Sequence, residues 1–166
     1  MAGGRSAHAP RAAVAWLVVV VLWLAFVWGH SLVPGPASTG ESNVVMHVLR
    51  PAFEAAGVTD THQMTHVIRK CAHFLEYAML GLLCSGLRTA AQGGFMRASY
   101  DVDAAAMRLV KLGTIACCLA PVADETIQMF TPGRSSLLTD VLIDLAGVLF
   151  GTLIMLVVRR LGQRRG

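Results

Sequence analysis

The sequence predicts an all-α integral membrane protein, a single domain over residues 1–166 built as a bundle of four spanning helices. Three observations predict it. Only 14% of the residues are charged, against roughly 25% in ordinary soluble domains. The apolar residues, 55% of the chain, are gathered into four blocks. Each block is close to the 20 or so residues that a helix needs to cross a bilayer.

The first block, about residues 13–33, contains WLVVVVLWLAFVW and no charge. Arg5 and Arg11 precede it, so a secretory signal is the competing reading. Its length, the three tryptophans Trp16, Trp23 and Trp28, and the lack of a small-x-small cleavage site close behind favour a retained span. The external loop 34–69 opens with Pro34, Gly35 and Pro36. It continues as VVMHVLRPAFEAAG, which suits a short interfacial helix interrupted near Pro51. The second, third and fourth blocks cover about 70–91, 109–130 and 137–158. A polar loop joins the second to the third. The segment TPGRSS makes a tight turn into the fourth, with Pro132 and Gly133 as turn residues and Ser135 or Ser136 as helix cap. Gly147 and Gly151 form a G-x-x-x-G stripe suited to close helix packing.

Basic residues orient the spans, because positive charge is retained in the cytoplasm. Four spans put both termini on one side. That side collects Arg5, Arg11, Arg88, Arg97, Arg108, Lys111, Arg159, Arg160, Arg164 and Arg165. Only Arg50, Arg69, Lys70 and Arg134 fall on the other. Both termini are therefore expected in the cytoplasm of a multi-pass plasma-membrane protein. The C-terminal arginines read as an anchor beside anionic lipid, which removes nucleic acid as a partner. Cys71, Cys84, Cys117 and Cys118 all lie in apolar stretches without a C-x-x-C, and read as small buried thiols.

Charges inside the blocks carry the functional expectation. The second block holds Glu76, the third Asp124 and Glu125, the fourth Asp140 and Asp144. With this topology Glu76, Asp124 and Asp144 all lie roughly 10 Å below the outer boundary, at about 1.5 Å per residue. Arg69, His73 and Glu76 follow i, i+4, i+7 spacing, so they share a helix face, with Tyr77 beside them. Asp124 and Gln128 are four apart, as are Asp140 and Asp144. Ionisable residues at such depth cost about 2.5–3.5 kcal/mol each at a helix centre, and less toward the ends. They mark function more often than helix–helix adhesion. Asp140 alone, in a first helical turn, is equally well explained by the helix dipole. His8, His30, His47, His62 and His66 show no partner in the sequence and receive no chemistry; a loose metal role for the outer ones stays open.

The strings RKCAHFLEYAMLGLL (69–83) and ADETIQMFTPGRSSLLTDVLIDLAGVLFG (123–151) resemble the VanZ family. Its pattern is matched at Arg69, Lys70, His73, Glu76, Tyr77 and Gly81, and again at Asp124, Glu125, Gln128, Pro132, Gly133, Arg134, Asp140, Asp144 and Gly147. Ser31 and Ser38 correspond loosely to serines that follow the family's first span. The resemblance implies a small bacterial membrane protein. The family's founding member is associated with low-level resistance to the glycopeptide teicoplanin.

Together these features lead to an expected site acting on a polar lipid or lipid-linked cell-envelope precursor at the outer leaflet. His73, Glu76, Asp124, Glu125 and Asp144 are the catalytic candidates. Arg69, Lys70, Tyr77, Gln128, Arg134 and Asp140 are the substrate-binding candidates, the arginines for their paired phosphate contacts. Phosphoryl or acyl transfer, or hydrolysis, are the reactions considered. Arg69, Lys70 and Arg134 against five acids leave a net charge of −2 with His73 neutral. A divalent ion such as Mg²⁺ or Ca²⁺ would balance that charge, and protonation of some of the acids by burial is the alternative. Two other classes stay open: a non-catalytic binder of a lipid or amphipathic antibiotic, and an ion or proton pathway.

Overall fold

A computed structural model describes residues 8–91, 104–134 and 138–164. Within them the chain is all-α, with five helices and no strand: α1 (His8–Ser31), α2 (Gly35–Ala55), α3 (Thr61–Ala91), α4 (Ala104–Phe130) and α5 (Leu138–Arg164). By length and composition α1 and α5 are the two helices apolar enough to cross a membrane. Both also show apolar side chains on their outer faces, among them Val18, Leu22 and Phe26 on α1 and Leu149, Leu153 and Val157 on α5. The remaining faces turn inward. On α1 the inward stripe is Ala13, Val20, Leu24, Val27 and Ser31, spaced as one helix face.

Inter-helix contacts fix the directions. Ala13 of α1 packs with Leu87 and Ala91 at the end of α3, while the Trp23 indole donates to the Glu76 carbonyl higher up. Gln128 and Thr131, at the end of α4, reach Ser31, at the end of α1. Thus α1 and α4 run one way and α3 runs the other. The central core consists of Val20, Leu24, Val27, Tyr77, Leu80, Cys117, Ala120 and Val148, drawn from all four long helices.

The closest crossing is between α3 and α5, and it rests on glycine. A Cβ at Gly147 would collide with the Phe74 carbonyl, and one at Gly151 with the Ala78 carbonyl. From the other side, a Cβ at Gly81 would strike the Val148 backbone. Backbones in such contact gain dispersion along their whole length, which drives association where lipid offers no hydrophobic contrast.

Within residues 34–69 the short helix expected to break near Pro51 is longer and unbroken. Gly35–Ala55 is one helix that continues through Pro51. The proline lies on the exposed side, five residues from the end, so the single backbone bond it removes faces outward. Packing compensates for a polar, glycine-containing sequence: Met46 is buried against Met64 and Ile68 of α3, with Phe53 and Val58 alongside. The helix ends in a Schellman motif. Gly57 adopts φ +81, Gly57 N–H donates to the Glu54 carbonyl, and Val58 N–H donates to the Phe53 carbonyl. Asp60 then caps α3 by accepting from the His62 backbone N–H at 3.0 Å.

The cysteines also depart from expectation. Cys84 and Cys117 form a disulfide between α3 and α4, and Cys71 and Cys118 are exposed rather than buried. The antiparallel course of α3 and α4 sets the first pair face to face across 33 residues of sequence, a relation that spacing alone does not reveal.

Candidate functional site

The site forms where the C-terminal ends of α1 and α4 meet the N-terminal parts of α3 and α5. Because Gly147 seats α5 directly on the Phe74 carbonyl, Asp144, one turn earlier, is brought opposite His73, one residue earlier. Asp124 arrives from α4. The His73 Nδ1 lies 3.6 Å from Asp144 Oδ1 and 3.7 Å from Asp124 Oδ2, too far for a direct hydrogen bond. Asp124 and Asp144 are fully buried, and the His73 side chain is 13% exposed.

Hydrogen bonding inside this cluster is incomplete. Gln128, one turn along α4, donates its amide to Asp124 Oδ2 at 3.1 Å and lies 3.5 Å from the Ser31 hydroxyl. Asp124 Oδ1, both carboxylate oxygens of Asp144, and His73 Nδ1 have no hydrogen-bond partner within the described residues. Native proteins pair nearly all buried polar atoms, so four such atoms in one place need an explanation. Tyr77, at 0% exposure, donates its hydroxyl to the Ala120 carbonyl at 3.2 Å and ties α3 to α4 beneath the cluster. Glu125 is buried next to Asp124 in sequence.

The other expected residues take separate positions. Glu76 pairs with His30, whose Nδ1 is 3.1 Å from Glu76 Oε1. The second nitrogen of His30 is 3.2 Å from Glu41 Oε2 on α2, so one imidazole joins three helices. Sequence reasoning passed over His30 and Glu41. The only signal was a histidine closing an otherwise apolar run. Lys70 forms an ion pair with Asp140 across α3 and α5, leaving Asp140 engaged at its helix start.

Arg134 is held by its turn. Thr131–Arg134 closes with Arg134 N–H donating to the Thr131 carbonyl, Pro132 and Gly133 at the centre, and Gly133 at φ +73, the type II requirement. Gly35 N–H donates to the Pro132 carbonyl, which locks the turn to the start of α2. The guanidinium donates to the carbonyls of Val33 and His30 at 3.1 and 3.0 Å. The His30 carbonyl, in the last turn of α1, also accepts from the Val33 N–H at 3.1 Å, and the Val33 carbonyl lies just past the helix; a cation at this end also suits the helix dipole. Partial burial and the like charge of Arg69 draw the Arg134 pKa below the usual guanidinium value.

Arg69 lies one turn outward from His73 on α3. It lines a cleft of about 510 Å³ between α2 and α3, with Thr39, Asn43, His62, Thr65 and His66. The expected residues therefore divide into a buried group (His73, Asp124, Asp144, Gln128 and Tyr77, with Glu125 buried beside Asp124 in sequence), Glu76, which pairs instead with His30, and a rim (Arg69, Lys70, Asp140, Arg134).

No curated protein and no solved structure matches this sequence. The family model VanZ/LLP1 matches residues 16–159. This span takes in α2, α3 and α4 whole, most of α1 and α5, and every residue of the buried centre, and on it the chain belongs to the VanZ/LLP1 family.

Proposed function

We infer that the chain is a multi-pass protein of the bacterial plasma membrane that takes the polar head of a lipid or lipid-linked cell-envelope molecule at the outer leaflet. The observation that carries this reading is the adjacency of two features. An open cleft bearing Arg69, His62 and His66 lies one helical turn from the buried His73, Asp124 and Asp144. A headgroup phosphate in the cleft would find paired donors from Arg69. Its neighbouring ester would then stand at the mouth of the buried centre.

Three features support the membrane setting. At about 1.5 Å per residue, α3 is about 46 Å long, more than the 30 Å or so of a hydrocarbon core. Its polar start, with the cleft, extends into the headgroup layer while the rest crosses. The basic residues divide ten to four in favour of cytoplasmic termini. And α2 shows an exposed stripe of Val44, Val45, Val48 and Leu49, the pattern of a helix lying in the interface. Such a surface would hold the cleft at the depth of lipid headgroups.

The chemistry favoured is phosphoryl or acyl transfer, or hydrolysis, with His73 or one of the two aspartates accepting the proton of the attacking hydroxyl. A role in teicoplanin-type resistance would follow from altering what the antibiotic meets at the cell surface. The cleft also favours a second reading, a binder that holds the same headgroup without turnover. Purified protein in nanodiscs, incubated with envelope phospholipids and lipid-linked precursors and followed by mass spectrometry, separates the two. A new product that falls at least a hundredfold in His73→Ala and Asp144→Asn supports the enzyme. Lipid retained without product, and released by Arg69→Ala, supports the binder. Neither product nor retained lipid sinks both.

A further inference from the structure

Two carboxylates and an imidazole that face one another, each with an unmatched atom, are an uncommon arrangement in a protein interior. One donor atom from each of His73, Asp124 and Asp144 lies within 4.8 Å of the other two. The residues come from three different helices, so local sequence does not force them together. The bundle holds them there through the Gly147 contact and the Tyr77 bond to α4.

We propose that His73, Asp124 and Asp144 form a binding site for one divalent transition-metal ion of the zinc class. Three observations converge. Asp144 is fully buried with neither oxygen hydrogen-bonded, and it is aimed at His73 and Asp124. The separations of 3.6 and 3.7 Å exceed a hydrogen bond, yet they approach the edge of a tetrahedral site. With ligand atoms about 2.1 Å from the ion, that edge is about 3.4 Å. Charge balances too: two carboxylates and a neutral imidazole carry −2, which a divalent ion cancels, and neutrality matters most in a low-dielectric interior.

The donor set selects the metal. Mg²⁺ and Ca²⁺ prefer cages of oxygen and retain several waters. An imidazole nitrogen in a dry, three-ligand site moves the preference to zinc-like ions, with a fourth position left for water or a substrate oxygen. This replaces the all-oxygen ion expected from charge counting. Gln128 fits the arrangement as a positioning residue. Its amide holds Asp124 Oδ2 and fixes the carboxylate direction, as the outer hydrogen bonds of metal sites do. With the ion in place His73 acts as a ligand, and proton acceptance in the proposed reaction passes to a metal-bound water or another group. The metal site is argued from its own geometry, charge and donor set, so it survives if no lipid is ever processed.

The full chain in detergent micelles or nanodiscs, stripped with chelator and titrated with Co²⁺, tests the site. The expected result is one Co²⁺ per chain by elemental analysis, visible absorption of a four- or five-coordinate ion, and displacement by Zn²⁺ but not by millimolar Mg²⁺ or Ca²⁺. Asp144→Asn should weaken binding at least a hundredfold. Gln128→Ala, which keeps all three ligands, should weaken it about ten- to hundredfold, so the site can be tested even if Asp144→Asn fails to fold. Zn²⁺ should raise the melting temperature of the wild type and not of Asp144→Asn. Three results overturn the proposal: equal Co²⁺ binding by wild type and Asp144→Asn, displacement by Mg²⁺ instead of Zn²⁺, or no binding by folded wild type.

Discussion

Placing a methyl group at Gly147 tests whether helix contact sets the site geometry. In Gly147→Ala the new Cβ would lie inside the van der Waals shell of the Phe74 carbonyl oxygen, and 3.1 Å from both the Ala78 nitrogen and the Tyr77 Cβ. Two of these neighbours are backbone, so no side chain can swing aside. Relief requires α5 to retreat by about 1 Å, and overpacking of that kind costs about 1–3 kcal/mol. For a chain of this size the melting temperature should fall roughly 2–12 °C. The same retreat opens the 3.6 Å gap between His73 and Asp144, so Co²⁺ affinity should drop at least tenfold. Gly29→Ala and Gly40→Ala are the controls, since a Cβ at either position meets nothing within 4 Å. Both lie within helices, where Gly to Ala is worth up to about 1 kcal/mol of stabilisation. Melting curves in micelles and Co²⁺ titrations read both effects. If Gly147→Ala melts with the wild type and binds as it does, backbone contact between α3 and α5 is not what holds Asp144 in place.

Other substitutions probe the surrounding supports. Arg134→Ala removes two donors from the α1 carbonyls and should cost about 1–3 kcal/mol; Arg134→Lys, lacking the planar fork, should restore only part of it in the same melting assay. Glu41→Ala frees α2 from His30, an exposed contact worth at most about 1 kcal/mol, so overall melting should barely change while hydrogen exchange in α2 speeds up. Without reductant, alkylation of unfolded protein should modify Cys71 and Cys118 only, with Cys84 and Cys117 reacting after reduction; four modifications without reductant would contradict the pairing. Cysteine placed at His62 should react with a membrane-impermeant reagent from outside intact cells, and cysteine at Gly162 only after lysis; the reverse pattern would invert the proposed topology.

Much of the buried centre was readable because helical spacing and charge bias agree. Asp124, Asp144 and His73 each stand at helical spacing from a polar neighbour, and the charge bias led to the expectation that all three lie in the same end of their spans. Depth and facing together leave few ways to bury them except against each other. The G-x-x-x-G stripe of Gly147 and Gly151 indicated a close crossing, although only the structure shows that its partner is the Phe74–Ala78 backbone. What the sequence hides is partner choice. Glu76 shares a stripe with His73, yet it turns to His30, because α1 packs against that side of α3 and supplies an imidazole from an apolar run. Nothing in the spacing within α3 distinguishes the two histidines.

The length of α2 has a different cause. Residues 35–55 carry glycine, serine and two prolines, a composition of low helix propensity, so the sequence suggests only a short helix after a loop, interrupted near Pro51. Tertiary packing overrides that propensity: Met46 buries against Met64 and Ile68, and the Pro132–Gly133 turn grips Gly35 at the start. The turn that grips Gly35 also aims Arg134 at the end of α1. One short segment therefore holds the end of α1 and the start of α2 together at the end of α4. This accounts for polar helix ends that no single span would explain: they are contacts among helices, and the centre they enclose is the place where the charges meet.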